Sequence, residues 1–191
     1  MKYDIILCGV GGQGILSVAA VIAQAAMDAG LRVRQSEVHG MAQRGGAVQA
    51  HLRMSDCDIH GDLIGKGRAD MILSMEPLEA LRYLDWLKPD GLVVSAAEPY
   101  ENIPVYPELG PLLAAIKALP GGKVVQTRAL AEKAGMPTSA NMVLVGAASG
   151  HLPLGTDSIE KALRARLGSK GEDIVAKNLK ALALGREGDA A

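Results

Sequence analysis

The chain has 191 residues, with 20 Lys and Arg against 21 Asp and Glu and a formal net charge of −1 at pH 7. This length suffices for one domain with a complete core, and the balanced charge gives no overall electrostatic reason to bind nucleic acid or an anionic membrane. Aromatic residues make up 3% and Phe is absent, which argues against the base-stacking surfaces of single-stranded nucleic-acid binders. We therefore expect neither a nucleic-acid partner nor a membrane.

The two cysteines and the N-terminus bear on the cellular compartment. Cys8 lies in the first apolar run and Cys57 in a polar stretch, so we expect a buried thiol and a loop thiol rather than a disulfide. The first strand begins at Tyr3 or Asp4 without a charged leader and an apolar segment, and no apolar run reaches the length of a membrane span. The sequence therefore predicts a soluble protein of the reducing cytoplasm.

The first chemical motif is a glycine turn between the apolar run Ile5 to Cys8 and an alanine-rich helix expected over Gly12 to Ala29. A strand that enters such a turn and leaves as a helix directs backbone N–H groups toward one space, which suits an anionic group. The glycine spacing matches the dinucleotide-binding fingerprint. We expect the turn residues to bind a phosphate-bearing ligand: Gly9, Gly11, Gly12, Gln13 and Gly14.

The acid that would confirm a dinucleotide site is absent from its usual place. About 20 residues beyond the motif, where that acid would contact the ribose, the chain has Arg34, and Glu37 is the nearest acid. Arg34 is compatible with the 2′-phosphate of an NADP-type ligand. A purely structural role for the glycines is the other alternative.

A second glycine-rich loop, His39 to Gly46, follows the predicted strand 31–38 directly. In a parallel sheet it would lie beside the first glycine turn at the carboxyl edge, so that the two turns form a crevice. The guanidinium of Arg44 suits a carboxylate or phosphate, the alternative being a loop ion pair with Glu37. His39 is either a proton carrier or a histidine that only hydrogen-bonds its surroundings.

The order of the remaining elements predicts the fold class. Strands and helices alternate up to a strand at 123–127, with 47–55 expected as an antiparallel edge or hairpin strand, and the chain is mostly helical from Arg128. This pattern predicts an α/β, Rossmann-like three-layer domain with a mostly parallel, mixed sheet and a helical C-terminal part. We expect one domain over residues 1–185, a last helix ending near Leu184, and a flexible tail over 186–191.

Several catalytic signatures are absent from the sequence. It has no Cys-x-x-Cys run for an iron–sulfur cluster, no Gly-Lys-Ser/Thr of a P-loop and no Gly-x-Ser-x-Gly nucleophile turn. His51 and His60 flank Cys57, but their spacing is not that of a zinc site, and no metal is predicted. A cofactor or a partner chain must therefore supply any difficult chemistry.

Four stretches carry a resemblance to a known family: the first glycine turn, Glu37 to Val48, Ala69 to Pro77, and Ala140-Asn141-Met142. They resemble the gamma-type subunits of 2-oxoacid:ferredoxin oxidoreductases, and in particular the beta subunits of the indolepyruvate:ferredoxin oxidoreductases, over nearly the whole chain. The resemblance implies the small subunit of a hetero-oligomer that oxidatively decarboxylates an aryl 2-oxoacid on thiamine diphosphate. Electrons then pass through iron–sulfur clusters to ferredoxin, and an acyl-CoA is formed.

The resemblance also implies a division of labour between subunits. Gly61-Asp62 is followed by Leu63 instead of the glycine of a thiamine diphosphate motif, so that cofactor and the clusters are expected in a large partner subunit, and coenzyme A is the co-substrate. We do not expect activity from this chain alone. An NAD(P)-binding reductase and a non-catalytic partner-binding module are the alternatives.

Both glycine loops are expected to face the active centre of the large subunit. The candidates for contact with substrate or coenzyme A are Arg44, Gln43 and His39. Further expected binding residues are Gly40, Met41, Gly45, Gly46 and Asn141. We expect the large subunit to cover the polar strand faces that carry Gln49, His51, Arg53, Arg32 and Arg34, and the isolated chain to self-associate there.

Overall fold

The computed structural model describes residues 1–40, 44–101 and 103–189. Its strands are β1 (Lys2–Val10), β2 (Arg32–His39), β3 (Ala47–Ser55), β4 (Ala69–Ser74), β5 (Leu87–Ala96) and β6 (Gly122–Val125). Its α-helices are α1 (Ile15–Asp28), α2 (Pro77–Arg82), α3 (Leu109–Lys117), α4 (Thr127–Lys133), α5 (Ala140–Ser149), α6 (Thr156–Leu167) and α7 (Glu172–Asp189). The strands form one six-stranded sheet in the order β2-β3-β1-β4-β5-β6.

The sheet is mixed, and helices cover both of its faces. Strands β1, β4, β5 and β6 are parallel, whereas β3 runs antiparallel to both β1 and β2. Ile5 and Leu7 of β1 point into a core with α1, α5, α6 and α7, while Ile6 and Cys8 point into a second core with α2 and α3. A central strand that is buried on both faces is expected to be apolar, as β1 is from Ile5 to Cys8. The predicted α/β, three-layer class is confirmed.

Strand β3 is the antiparallel hairpin strand, one of the two alternatives that the sequence left open. It pairs with β2 and lies between β2 and β1, so the other alternative, an edge strand, does not apply. Its apolar face is buried through Ala50, Leu52 and Met54, in the core that also contains α1. Strand β2 is the edge strand on this side of the sheet, and β6 is the edge strand on the other side. This order differs from that of a dinucleotide-binding domain, in which the second strand lies next to the first.

The first helix begins later in the chain than the sequence predicts, because of the glycine turn. The sequence predicts a helix from Gly12, but α1 begins at Ile15. Gly12 and Gly14 have φ values of 105° and 82°, in the left-handed region, which an α-helix cannot contain. The turn is therefore three residues longer than expected, and its backbone remains outside the helix.

Two glycines allow α5 and α7 to touch along their backbones. A Cβ atom on Gly146 would lie 2.0 Å from the Leu182 carbonyl oxygen, and one on Gly185 would lie 2.0 Å from the Val143 carbonyl oxygen. The small residues thus permit an approach that any side chain would prevent.

Helix α7 is longer than the sequence predicts. It continues past Leu184 to Asp189, so the expected tail from Arg186 on is wrong for this part of the chain. The Arg186 guanidinium lies 3.4 Å from both Ser149 Oγ of α5 and Glu160 Oε1 of α6. These contacts stabilise the last turns of α7 against the neighbouring helices. Within the described ranges, no helix combines the length and the apolar content needed to cross a bilayer.

Candidate functional site

The two glycine loops are hydrogen-bonded to each other at the carboxyl edge of β1. The Gly11 N–H donates to the Gly46 carbonyl oxygen at 2.8 Å, and the Gly45 N–H donates to the Gly11 carbonyl oxygen at 3.1 Å. The prediction that both loops lie side by side is confirmed. They form one continuous wall, and Arg44 is the residue next to Gly45 on it.

Three positions of the first turn are glycine for different structural reasons. A Cβ on Gly9 would lie 2.8 Å from Gln13 Oε1, and one on Gly14 would lie 2.6 Å from Asn141 Nδ2. Both positions are therefore required by packing within the protein. Gly12 differs, because a Cβ there would have nothing within 4 Å. Gly12 faces open space, where a ligand could approach the backbone.

Gln13 holds the turn in place through both ends of its side-chain amide. Its Oε1 accepts the Val10 N–H at 2.7 Å, and its Nε2 donates to the Met75 carbonyl oxygen at 3.0 Å. The turn is thereby fixed to the end of β4. The expected ligand contact by Gln13 stays a prediction, and the structure gives this side chain a positioning role.

Not every N–H group of the turn points toward a ligand. The Gly11 N–H is used by Gly46, and the Gln13 N–H donates to the Val10 carbonyl oxygen at 3.1 Å. An anion at this turn would therefore use Gly12, Gly14 and the first turn of α1.

Two hollows meet at Gly12. The first hollow, about 430 Å³, includes Gly11, Gly14, Ile15, Leu16, Glu37 and Val48 in its lining. The second hollow, about 320 Å³, includes Gln13, Met75, Glu98, Tyr100, Arg128 and Asn141. Gly12 lines both. A change at this residue would affect either ligand space.

The charges of the two hollows differ. Glu37 brings a carboxylate to the first hollow, whereas Arg128 brings a guanidinium to the second. The carboxylate of Glu98 is engaged at the start of α4, where it accepts the Thr127 hydroxyl at 2.7 Å and the Arg128 N–H at 2.7 Å. These donors are neutral and leave Glu98 charged, so the second hollow has one guanidinium and one carboxylate, whereas the first has a carboxylate and no cation in its lining. Of the two hollows, the second is therefore the better match for an anionic ligand.

The remaining expected site residues lie on the second loop. Arg44 is exposed where the chain turns toward β3, and Gly40 is exposed where β2 has ended. Met41 and Gln43 lie outside the described residues, as does the side chain of His39. The roles proposed for these five residues stay predictions.

The polar face of β3 is covered by the chain itself. Arg53 Nε donates to Asp4 Oδ1 at 3.0 Å and its Nη1 donates to the Gly61 carbonyl oxygen at 2.8 Å, while His51 Nδ1 accepts the Ile64 N–H at 3.0 Å. The segment 56–68 thus occupies the surface that was expected to receive the large subunit. That expectation is wrong for His51 and Arg53.

The neighbouring arginines of β2 also have partners in segment 56–68. Arg32 pairs with Asp58, and Arg34 lies 3.5 Å from Asp62. The acids of this segment, which match the arginines of β2 in charge, could have indicated this arrangement from the sequence. The positive charges that β2 and β3 present on this face are therefore paired with acids of the same chain.

His51 makes the stability of the fold depend on pH. It is 4% exposed, and burial, followed by the Arg53 charge, lowers the pKa of His51 below its ordinary value. The unfolded chain then binds more protons as the pH falls through about 6.5, so the contribution of His51 is present at higher pH and is lost toward lower pH. We expect His51→Asn, which keeps an acceptor for Ile64, to flatten the pH dependence of the unfolding free energy between pH 7.5 and 5.5.

The measurement is urea unfolding at a series of pH values. The reduction in slope is at most about 1.4 kcal/mol per pH unit, the limit for one proton. His60→Asn is the matched control, because His60 is exposed in the same region. Identical slopes for the wild type and His51→Asn would contradict the prediction.

Glu76 was not among the residues that the sequence indicated. It follows β4, is 1% exposed, and accepts the Glu79 N–H at 2.8 Å as the N-cap of α2. Its other carboxylate oxygen accepts the Tyr106 hydroxyl and, at 3.4 Å, the Tyr100 N–H. Its position in the sequence, between a buried strand and a proline that begins a helix, could have indicated the helix-capping role. Glu76 joins the end of β4 to a wall of the second hollow.

The residues that the structure describes do not fit thiamine diphosphate or an iron–sulfur cluster. The Gly61-Asp62-Leu63 stretch lacks a diphosphate motif, and its first carbonyl is bound by Arg53. Cys8 is buried and Cys57 is exposed elsewhere, whereas a cluster needs several cysteine ligands. In the part of the chain that the structure describes, no group of three or more His, Cys, Asp or Glu residues is arranged to hold a metal ion.

Comparisons with known proteins agree on one family. The family model described as pyruvate ferredoxin/flavodoxin oxidoreductase matches residues 4–188. Indolepyruvate oxidoreductase subunit IorB of Archaeoglobus fulgidus is 41% identical, over 97% of this chain and 94% of its own length. The subunit of the same name from Thermococcus kodakarensis is 40% identical, over 96% and 94%.

Solved structures show the same fold. The gamma subunit of a keto/oxoacid ferredoxin oxidoreductase from Geobacter sulfurreducens matches with a TM-score of 0.71 at 26% identity, covering 99% of both chains. The 2-oxoglutarate:ferredoxin oxidoreductase from Magnetococcus marinus, solved with 2-oxoglutarate, coenzyme A and succinyl-CoA bound, matches with a TM-score of 0.76 at 23% identity. That match covers 99% of this chain but spans only 31% of the Magnetococcus chain.

Proposed function

Because this chain belongs to the pyruvate ferredoxin/flavodoxin oxidoreductase family, we propose that it is the small subunit of an indolepyruvate:ferredoxin oxidoreductase. In that reaction an aryl 2-oxoacid is oxidatively decarboxylated, its acyl group is transferred to coenzyme A, and the electrons pass to ferredoxin. The observation that carries the proposal is the similarity, over nearly the full length, to subunits of indolepyruvate oxidoreductases. The redox groups are assigned to a large partner subunit, because the described residues of this chain do not fit them.

The contribution of this chain is to bind and orient. The N–H group of Gly12, with Arg128 and Asn141 of the second hollow, is assigned to the phosphates of coenzyme A, and the N–H group of Gly14 borders the first hollow beside them. Arg44, on the adjoining loop, is assigned to a carboxylate or phosphate at the same edge. The hydrogen-bonded contact between the two loops supports this assignment, because it joins both sets of groups in one wall.

The decisive experiment is co-expression with a candidate large subunit. We expect viologen reduction that depends on an arylpyruvate and coenzyme A when both chains are present, and little when this chain is omitted. The same preparation assayed with 2-oxoglutarate serves as the substrate control and should be much slower. Activity that never requires this chain would overturn the proposal.

An NAD(P)-binding reductase is the rival that a specific observation favours, since Glu37 lines the first hollow beside the glycine turn. The strand order counts against it. Strand β3 separates β2 from β1, so the end of β2 lies two strand spacings, about 9 to 10 Å, from the turn. Saturable binding of NAD or NADP to this chain, without binding of coenzyme A, would favour the rival. Affinity for a large subunit without effect on oxoacid oxidation would favour a non-catalytic module.

A further inference from the structure

The loop between β5 and α3 exposes three apolar side chains within six residues. Tyr100 is 42% exposed, Ile103 is 38% exposed and Val105 is 83% exposed. We call these three residues the apolar loop surface. Single exposed apolar residues are common, but a cluster on one loop is typical of an interaction surface.

The loop that carries this surface is fastened to the core. The buried carboxylate of Glu76 accepts the Tyr100 N–H and the Tyr106 hydroxyl, one on each side of Ile103 and Val105. Pro99, Pro104 and Pro107 restrict the backbone further. Binding to residues that are already held in place avoids much of the entropy cost of ordering them. The apolar side chains are therefore presented in a fixed position.

The apolar loop surface adjoins the candidate site. Strand β5 ends at Ala96, at the same carboxyl edge as the glycine turn. Pro99 and Tyr100 line the second hollow together with Gly12 and Asn141. A chain that covers the apolar loop surface would therefore also close the second hollow.

We propose that the apolar loop surface is the docking surface for the large subunit. This inference rests on the proposed function, and it follows from continuity, because the hollow that the surface borders needs the chemistry of that subunit. Exposed Glu101 and Glu108 stand on either side of Ile103 and Val105 in the chain and make this loop acidic, while Arg128 borders Tyr100 in the second hollow. An acidic loop disfavours an anionic membrane, and it disfavours a second copy of this chain that would bring the same acids. The complementary partner carries basic residues around an apolar patch.

The test is the dissociation constant between the purified large subunit and variants of this chain. Val105→Glu is expected to weaken binding at least tenfold, because a charge would enter an apolar contact. Its exposure means that the fold does not depend on this side chain. Met27→Glu is the matched control, since Met27 is 51% exposed at the end of α1, and it should change affinity less than twofold.

Three results would overturn the inference, and they are distinguishable. Unchanged affinity of Val105→Glu, with a working complex, would overturn the docking surface and leave the proposed function intact. Conversion of a homodimer of the isolated chain to a monomer by Val105→Glu, with unchanged affinity for the large subunit, would assign the surface to a second copy. No binding of the wild-type chain to the large subunit would overturn both proposals.

Discussion

Replacing Gly146 with alanine is expected to lower the free energy of unfolding by about 3 kcal/mol, at the upper end of the cost of overpacking a core. The new Cβ would lie 2.0 Å from the Leu182 carbonyl oxygen, a backbone atom that cannot rotate away. Helices α5 and α7 would have to separate. Because α5 lies in the main core beside α1, the separation would also open buried apolar contacts.

The measurement is urea unfolding followed by circular dichroism. Gly150→Ala is the matched control, because Gly150 ends the same helix and a Cβ there would have nothing within 4 Å. It should change the unfolding free energy by less than about 1 kcal/mol. Equal effects of the two substitutions would show that helix propensity, and not the contact between backbones, decides the cost.

Local sequence patterns predicted the elements well, because burial and turn chemistry act over short distances. The apolar run of β1 and the glycine turn after it required only neighbouring residues. The general geometry of sheet edges predicted that the two glycine loops lie at the same edge. The hydrogen bonds between them, however, continue the antiparallel pairing of β1 with β3 beyond Val10 and Ala47, and the sequence did not indicate that pairing.

What could not be predicted depends on residues far apart in the chain. The alternation of β3 correctly indicated one polar face. The same pattern results whether solvent, a partner or the chain itself covers that face. Arg53 meets Asp4 from 49 positions away, and only the folded sheet brings them together. Glu76 likewise gains its role from Tyr106, 30 positions further on.

Replacing Gly12 with alanine is expected to raise the KM for coenzyme A in the assembled enzyme about thirtyfold, with a smaller change in kcat at saturation. Gly12 has a φ of 105°, which alanine avoids, so the turn would rotate its N–H groups away from the second hollow. Loss of one or two hydrogen bonds to a charged group is worth about 2 kcal/mol, which corresponds to this factor.

Gly30→Ala is the matched control for this substitution. Gly30 has a φ of 80°, and a Cβ there would likewise have nothing within 4 Å, but it lies beyond the end of α1, at the opposite edge of the sheet. Both variants should lose similar stability, about 1 to 2 kcal/mol, while only Gly12→Ala should affect coenzyme A. An unchanged KM in Gly12→Ala would remove the glycine turn from the binding site and leave it as the element that places the second loop, with Arg44, at the edge of the sheet.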